Sequence, residues 1–237
     1  MTLDPAVIGS NLAQDGTASA TEGETPSLTS TNNFINSCVG KTITNGLQVQ
    51  GGSCNPVPMG DLPAKTVQPT SKFVIPTNMQ NFGVNQAFTV TMAINNLNTG
   101  NFVNPNTNYF AAPQQLDGTG TILGHSHFVI QSLPSVTSTQ PLDPTVFAFF
   151  QCVQCLILHS GAHVVFIRGL NGKASGGQLT GQVSKGLPAG AYRVFSINTA
   201  ANHQPVLGPV AQHGSFDDAV YVRGLCFWDI WQSLTHP

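Results

Sequence analysis

Residues 87–95 read AFTVTMAIN, and they carry the clearest structural signal in the chain. Large apolar side chains at 88, 90, 92 and 94 alternate with threonine and alanine, which is the period-two pattern of a strand buried on one face. Because no stretch shows a convincing 3.6-residue period, the pattern predicts an all-β fold. Shorter β-like runs, separated by Pro, Gly and Asn, occur at 42–50, 72–75, 122–132, 147–150, 178–183, 191–197, 206–212 and 219–222.

The turn before one of these runs indicates how the strands pack. Residues 185–190 read KGLPAG and lead into AYRV at 191–194, so Gly and Pro set a turn before an alternating strand that crosses the core. Corners of this kind are frequent in immunoglobulin-like sandwiches. Together with about eight or nine short strands, the corner favours an immunoglobulin-like β-sandwich.

Composition divides the chain into an arm, a domain and a tail. Residues 1–33 are rich in Ser, Thr, Gly and Pro with few bulky side chains, so we expect a long extended N-terminal arm. Residues 34–222 carry the strand pattern and are assigned to the β-sandwich domain. Residues 223–237 form an atypical tail that holds both tryptophans.

The charge balance limits the partners of the protein. With 8 Lys and Arg against 10 Asp and Glu, the chain has a formal net charge of −2 and no basic stripe. Nucleic acid is therefore not expected as a partner, since phosphate neutralisation supplies most of that affinity. No apolar run approaches the roughly 18 residues of a membrane span. The low charge and the abundance of Thr, Asn, Gly and Pro predict a secreted β-protein.

Histidines supply the strongest candidate for chemistry. His125 and His127 lie two positions apart in a predicted strand, so their side chains leave the same face about 7 Å apart along the chain. His203 and His213 bracket a predicted hairpin, which in a sandwich can reach the same end as the first pair. Four imidazoles placed in this way suit zinc or copper.

Two interpretations of the histidines stay open. The rings either bind a metal, with Asp217 or Asp218 completing the shell or orienting a ring, or they hydrogen-bond loops together in a charge-poor protein. The residue types slightly favour the structural use, because paired ligands without a proven third are common false positives. A metal at this position would also allow an enzyme of unknown reaction.

Other chemical motifs are weaker. Cys152, Cys155, His159 and His163 are too closely spaced for a zinc finger, which needs about a dozen residues between its Cys and His pairs. Both glutamates lie in the predicted arm, and no nucleophile elbow, metalloprotease helix or phosphate loop occurs. The sequence therefore favours a non-enzymatic role and indicates no certain cofactor.

A set of short motifs resembles a family of secreted fungal proteins of uncharacterised function, some of which are mislabelled as a ribosomal protein. The resemblance extends from residue 2 to 222. The acidic charge balance contradicts the ribosomal label. The motifs are TLDP at 2–5, AQDG at 13–16, PSLTS at 26–30, NNFIN at 32–36, GGSCN at 51–55, NYF at 108–110, PQQL at 113–116, GHSH at 124–127, ANHQP at 201–205 and QHGS at 212–215, followed by DD at 217–218.

The resemblance also concerns the ends and the middle of the chain. It implies that a secretion signal precedes the TLDP motif, so that this copy, which carries no signal peptide, begins near the mature N-terminus. The family runs directly from a Phe-Phe element into a Gly-Leu-Asn element, whereas 152–168 intervene here. We interpret 152–168 as a non-native insertion, an unspliced intron translated in frame, and expect a similar misreading after residue 222.

Five cysteines leave one unpaired in the chain as written. Cys38 and Cys54 lie in the domain that the resemblance covers, and the other three lie in the doubtful segments. A disulfide between Cys38 and Cys54 is expected in a secreted protein, and the alternative is two buried thiols. Closing such a loop typically stabilises by about 3 kcal/mol.

These observations together predict a secreted fungal protein of the extracellular space or cell wall. Its expected role is structural, adhesive or in host interaction, with cell-wall polysaccharide or surface proteins as partners. The alternative is an extracellular protein that binds zinc or copper through the four histidines.

Overall fold

The computed structural model describes residues 3–19, 26–146, 149–150, 170 and 172–225. These residues contain β-strands and short 3₁₀ turns but no α-helix, so the prediction of an all-β protein is confirmed. No helix in this part of the chain has the length and hydropathy that a membrane crossing requires. The strands are β1 (Thr70–Ile75), β2 (Gln80–Gly83), β3 (Phe88–Asn95), β4 (Leu97–Asn98), β5 (Ile122–Leu133), β6 (Phe149–Phe150), β7 (Gln178–Val183), β8 (Gly190–Ala200) and β9 (Ala219–Leu225).

The described strands form two sheets. The smaller has the order β1-β3-β7, with both pairs antiparallel. The larger has the order β2-β9-β8-β5-β4, and β6 pairs with β5 antiparallel. Its long central pair, β5 with β8, keeps one register from Gly124 opposite Ala200 to Leu133 opposite Ala191. The candidate functional site lies on this pair of strands.

The hydrophobic core lies between the two sheets. Val90, Met92 and Ile94 of β3 are buried against Phe128 and Ile130 of β5, as the alternation at 87–95 predicts. Side chains alternate along each strand, so the residues between these face away from the core. The even-numbered residues of β5 therefore face the smaller sheet, and its odd-numbered residues face outward.

The turn before β8 has the geometry of a tyrosine corner. The hydroxyl of Tyr192, near the start of β8, donates a hydrogen bond to the carbonyl oxygen of Pro188 at 3.0 Å. A tyrosine near the start of a strand, bonded to the backbone a few residues upstream, fixes such a corner in many sandwiches. The KGLPAG turn and the strand after it thus form as the sequence predicts.

Two predicted strands do not form. The 42–50 segment is broken by a turn in which Asn45 and Gly46 have positive φ values of 47° and 75°, and two such residues in succession reverse the chain. The 206–212 segment is irregular, because Gly208 and Pro209 interrupt it. The sequence also missed β2 and β4, which are too short to show an alternating pattern.

The N-terminal region is not simply extended. It contains 3₁₀ turns at Pro5–Val7, Ser10–Ala13 and Thr17–Ser19, all with exposed side chains wherever burial is described. The side chain of Asn33 accepts from the amide of Gly9 and donates to the carbonyl of Val7, so the region folds back on itself. Cys38 and Cys54 are joined by a disulfide with a Cα–Cα distance of 5.5 Å, as expected from the sequence.

Two predicted segments lie outside the described residues. These are the suspected insertion at 152–168 and the tail at 223–237 apart from its first three residues. Residues 223–225 continue β9 and pair with β2 and β8.

Candidate metal centre

The outer face of β5 positions two histidines. His125 is fully buried and His127 is 9% exposed, and both project from the side of the larger sheet that faces away from the core. Their neighbours Ser126 and Phe128 point the other way, towards the core between the two sheets. The His125 and His127 rings meet edge to face, with centroids 4.9 Å apart.

A third histidine arrives from the turn that follows β8. His203 has a positive φ of 73°, and its amide donates to the carbonyl of Ala200 at 2.9 Å. The neighbouring Asn202 is buried and donates from its side chain to the carbonyl of Ala112. This tight turn places the His203 ring next to His125, near the start of β5.

A loop between β4 and β5 covers the histidines. The amide of Asn101 donates to the carbonyl of Gly124, and the amide of Val103 donates to the carbonyl of Ala201. These two bonds hold the loop beside the start of β5 and the end of β8. They also place the carbonyl oxygens of Asn101 and Val103 within reach of the imidazoles.

Backbone carbonyls fix the tautomers of two rings. Nδ1 of His125 lies 3.2 Å from the oxygen of Asn101, and Nε2 of His203 lies 2.7 Å from the oxygen of Val103. A carbonyl oxygen only accepts, so each of these ring nitrogens carries the proton. In the neutral rings, Nε2 of His125 and Nδ1 of His203 are therefore left with lone pairs.

Those two unprotonated nitrogens face each other. Nε2 of His125 and Nδ1 of His203 are 3.1 Å apart, and the nearest ligand nitrogens of His125, His127 and His203 all lie within 4.8 Å of one another. Two lone pairs at this distance repel unless a proton or a cation lies between them. Within the described residues, these three side chains form the one His, Cys, Asp or Glu group that could hold a metal ion.

Burial disfavours a proton as the bridge. Desolvation, and then the neighbouring His127 and His203, lower the pKa of His125 to about 3. Burial also lowers the pKa of His203, although its bond to Val103 acts in the opposite direction. The rings of His125 and His203 are therefore neutral near pH 7, which is the form that binds metal ions.

Thr199 lies directly opposite His125 on β8. Its hydroxyl oxygen is 3.0 Å from Nε2 of His125 and 3.3 Å from the carbonyl oxygen of the same residue. The hydroxyl can donate to either acceptor, so Nε2 can release this bond when another partner approaches. Nothing in the sequence points to Thr199, because its position opposite His125 follows only from the register of β5 and β8.

Aromatic rings surround the cluster. Tyr109 stacks on His203 with centroids 5.6 Å apart, and Phe102 meets His125 edge to face at 5.9 Å. Phe102 is 46% exposed, so the site lies near the surface on this side. Both rings belong to the covering loop, which the sequence did not assign to the site.

The other predicted site residues lie elsewhere. His213 is exposed and stacks on Phe216 with centroids 4.2 Å apart, so it does not join the cluster. Asp217 accepts from the hydroxyl of Ser196, a side chain on the core face of β8, and burial raises the pKa of its carboxyl group. Asp218 forms an ion pair with Lys72 at 3.0 Å. Both carboxylates tie the segment before β9 to its neighbours.

The fold and the site together define an all-β protein of two packed sheets, with three histidines converging on the outer face of the larger sheet. The family profile described as the CLU5d N-terminal domain matches residues 71–162 and 158–224. These matches cover more than half of the chain, which therefore belongs to the CLU5d N-terminal domain family.

One curated relative is similar over most of the chain. It is pathogenicity cluster 5 protein d of the fungus Colletotrichum graminicola, and it is 38% identical over 218 residues. The alignment covers 91% of this chain but 42% of the relative, so the chain spans about two fifths of that protein. No solved structure matches the chain. The chain thus belongs to a fungal family, as the sequence motifs suggested.

Proposed function

We propose that this chain is a secreted fungal protein of host interaction whose working site binds a transition metal through His125, His127 and His203. The carrying observation is the approach of Nε2 of His125 to Nδ1 of His203 at 3.1 Å, with the other nitrogen of each ring bonded to a backbone carbonyl. Metal-ligating histidines almost always donate their second ring N–H in this way.

The spacing of the rings suits a tetrahedral metal. Two nitrogens that bind one zinc at about 2.0–2.1 Å lie roughly 3.3–3.4 Å apart. The distance between His125 and His203 is within a few tenths of an ångström of that value. The three ligand nitrogens lie within 4.8 Å of one another, so a metal would draw His127 closer by up to about 1.4 Å to complete the set. Imidazole ligands suit zinc and copper, and the proposal covers both metals.

Support for an extracellular role comes from different observations. The disulfide between Cys38 and Cys54 is of a kind that persists in oxidising compartments. The relative in Colletotrichum is named as a pathogenicity cluster protein, which favours a role in contact with a host. Cell-wall polysaccharides and surface proteins remain the proposed partners, at the wall or outside the cell.

An immunoglobulin-like topology is part of the proposal. With β1, β3 and β7 taken as strands A, B and E, and β5, β8 and β9 as C, F and G, the neighbour orders A-B-E and C-F-G of that fold are reproduced. β6, beside β5, takes the position of strand C′ in variable-type domains. The bond between Tyr192 and Pro188 supports the same assignment. A crystal structure with a different neighbour order would contradict it.

Metal content tests the proposed site. We expect the purified protein to bind about one equivalent of zinc or copper in equilibrium dialysis with elemental analysis. The His203→Asn variant should bind at least tenfold more weakly, because it removes one ligand. Asparagine tolerates the positive φ at this position, so the turn is retained.

His213→Asn is the matched control. It removes an exposed histidine outside the cluster and should leave metal affinity unchanged. Equal affinity in the wild type and in His203→Asn would show that the metal binds elsewhere, and absence of binding in the wild type would end the proposal.

A further inference from the structure

Three histidines leave a four-coordinate metal short of one ligand. Zinc sites with three protein ligands keep the fourth position for water or substrate, whereas structural sites fill all four from the protein. Within the described residues, no fourth His, Cys, Asp or Glu joins His125, His127 and His203. The arrangement is therefore that of an open site.

The positive charge of the metal ion favours an anion in the open position. Neutral imidazoles leave the full positive charge of a divalent ion uncompensated, and the cost of an unpaired charge rises with burial. The two carboxylates predicted to complete the metal shell have other partners. Asp217 accepts from Ser196 and from the amide of Asn198, and Asp218 pairs with Lys72. An anion from solvent would neutralise part of the metal charge.

An anion from solvent can reach the open position of the site. His203 is only partly buried, and Phe102 beside His125 is 46% exposed, so the cluster adjoins the surface on the loop side. The Thr199 hydroxyl, 3.0 Å from Nε2 of His125, lies where it can donate to an oxygen or nitrogen bound next to that ligand. A hydroxyl so placed orients a bound anion.

We infer that the metal held by His125, His127 and His203 binds a small exogenous anion, such as hydroxide or a carboxylate, in its fourth position with the help of Thr199. This inference rests on the proposed metal site. It gives the site the architecture of a metal centre that activates water or receives an anionic substrate, and not of a closed structural site.

Cobalt(II) spectroscopy with azide tests the inference. Cobalt-loaded protein should show the visible absorption of a tetrahedral centre, and azide should shift these bands with saturable dependence on its concentration. Thr199→Val should weaken the azide response severalfold while cobalt still binds. His213→Asn should behave as the wild type.

The outcomes separate the two proposals. Absence of a cobalt spectrum, together with absence of zinc and copper binding in dialysis, overturns the metal site together with its open position. A tetrahedral spectrum that azide does not change overturns only the open position. An azide response that is unchanged in Thr199→Val removes the role of the hydroxyl.

A separate observation concerns the edge of β5. Phe149 and Phe150 pair antiparallel with Ile130 and Val129, and Leu170 forms an antiparallel bridge with Ser126. An uninterrupted ladder that starts from these β6 pairs would place residue 153 opposite Ser126. The residue found there is Leu170, which lies seventeen positions further along the chain.

This displacement equals the length of the segment 152–168. Without that segment the sequence Phe149-Phe150-Gln151-Gly169-Leu170 would have the register that both of its ends already show. The two segments matched by the family profile also overlap at 158–162, within the same stretch. The register and the family match thus independently point to an interruption at one place.

The geometry points to a second form of this protein that lacks 152–168, in which residues 149–151 and 169–170 would form one continuous strand beside β5. We expect the deletion variant Δ152–168 to fold and to unfold at a temperature several degrees above that of the full chain, since a shorter connection costs less loop entropy. Sequencing of the transcript should reveal a spliced message without these seventeen codons.

A deletion shorter by one residue is the matched control. Δ152–167 shifts the register by one position, which turns every following side chain of the strand to the opposite face. It should unfold several degrees below Δ152–168. Equal stability of the two deletions, or a Δ152–168 protein less stable than the full chain, would overturn the inference.

Discussion

Nε2 of His125 and Nδ1 of His203 lie 3.1 Å apart although 78 positions separate the two residues in the sequence. The contact joins β5 to the turn that follows its neighbour β8. Each ring is oriented by a carbonyl of the same covering loop. A cation between the two nitrogens would therefore bind the strand, the turn and the loop together.

Metal binding should stabilise the fold through this junction. A ligand that binds only the native state, at a free concentration of about 100 times its Kd, adds about 2.7 kcal/mol to the free energy of unfolding. We expect zinc or copper to raise the melting temperature of the wild type and of His213→Asn. In His203→Asn the shift should largely disappear, and a full shift in this variant would contradict the site.

A buried polar network should matter for stability more than for metal binding. Asn198 accepts from the hydroxyl of Ser126 at 2.7 Å and donates to Ser71 and to the carbonyl of Phe216. Asn198→Ala should lower the free energy of unfolding by about 2–3 kcal/mol, because it leaves buried groups without partners. Urea denaturation measures the change.

The control for this network is an exposed amide. Gln182 donates to Thr89 at the surface, and Gln182→Ala should change stability by less than about 0.5 kcal/mol. Similar losses in both variants would argue against a special contribution of the buried network.

The tyrosine corner gives a third prediction. Tyr192→Phe removes the hydroxyl that donates to Pro188 and keeps the buried ring. The free energy of unfolding should fall by about 1 kcal/mol, the usual contribution of one hydrogen bond. Tyr221→Phe, at a partly exposed position on β9, is the comparison, and the corner has no energetic role if the two variants are equally stable.

Asp117 makes stability depend on pH. Hydrogen bonds from the side chains of Thr119 and Asn98, and then from backbone amides, hold the pKa of its carboxyl group well below the usual 3.8. A lowered folded-state pKa contributes stability that is present above the unfolded-state value and is lost as the pH falls through the folded-state value. This contribution should therefore decline below about pH 3.8.

Acid unfolding of Asp117→Asn measures this contribution. The wild type should be more stable than the variant at neutral pH, and the difference should shrink as the pH falls below about 4. A difference that stays constant across this range would show that the carboxylate charge is not responsible.

The strands could be predicted where they are long and buried on one face. The alternation at 87–95 located β3, and the KGLPAG turn located the start of β8. The segments 42–50 and 206–212 are apolar enough to suggest strands, but Asn-Gly and Gly-Pro turns interrupt them. Short edge strands such as β4 owe their conformation to a neighbour and leave no periodic signal.

The sequence alone determined the all-β architecture and the common face of His125 and His127, because alternation along a strand is a local property of the backbone. Only the tertiary structure decided that His203 joins this pair while His213 does not. That choice depends on a turn with positive φ and on carbonyl groups of Asn101 and Val103. Every residue has a backbone carbonyl, so its part in orienting a ring cannot be read from residue types and follows only from how distant segments pack.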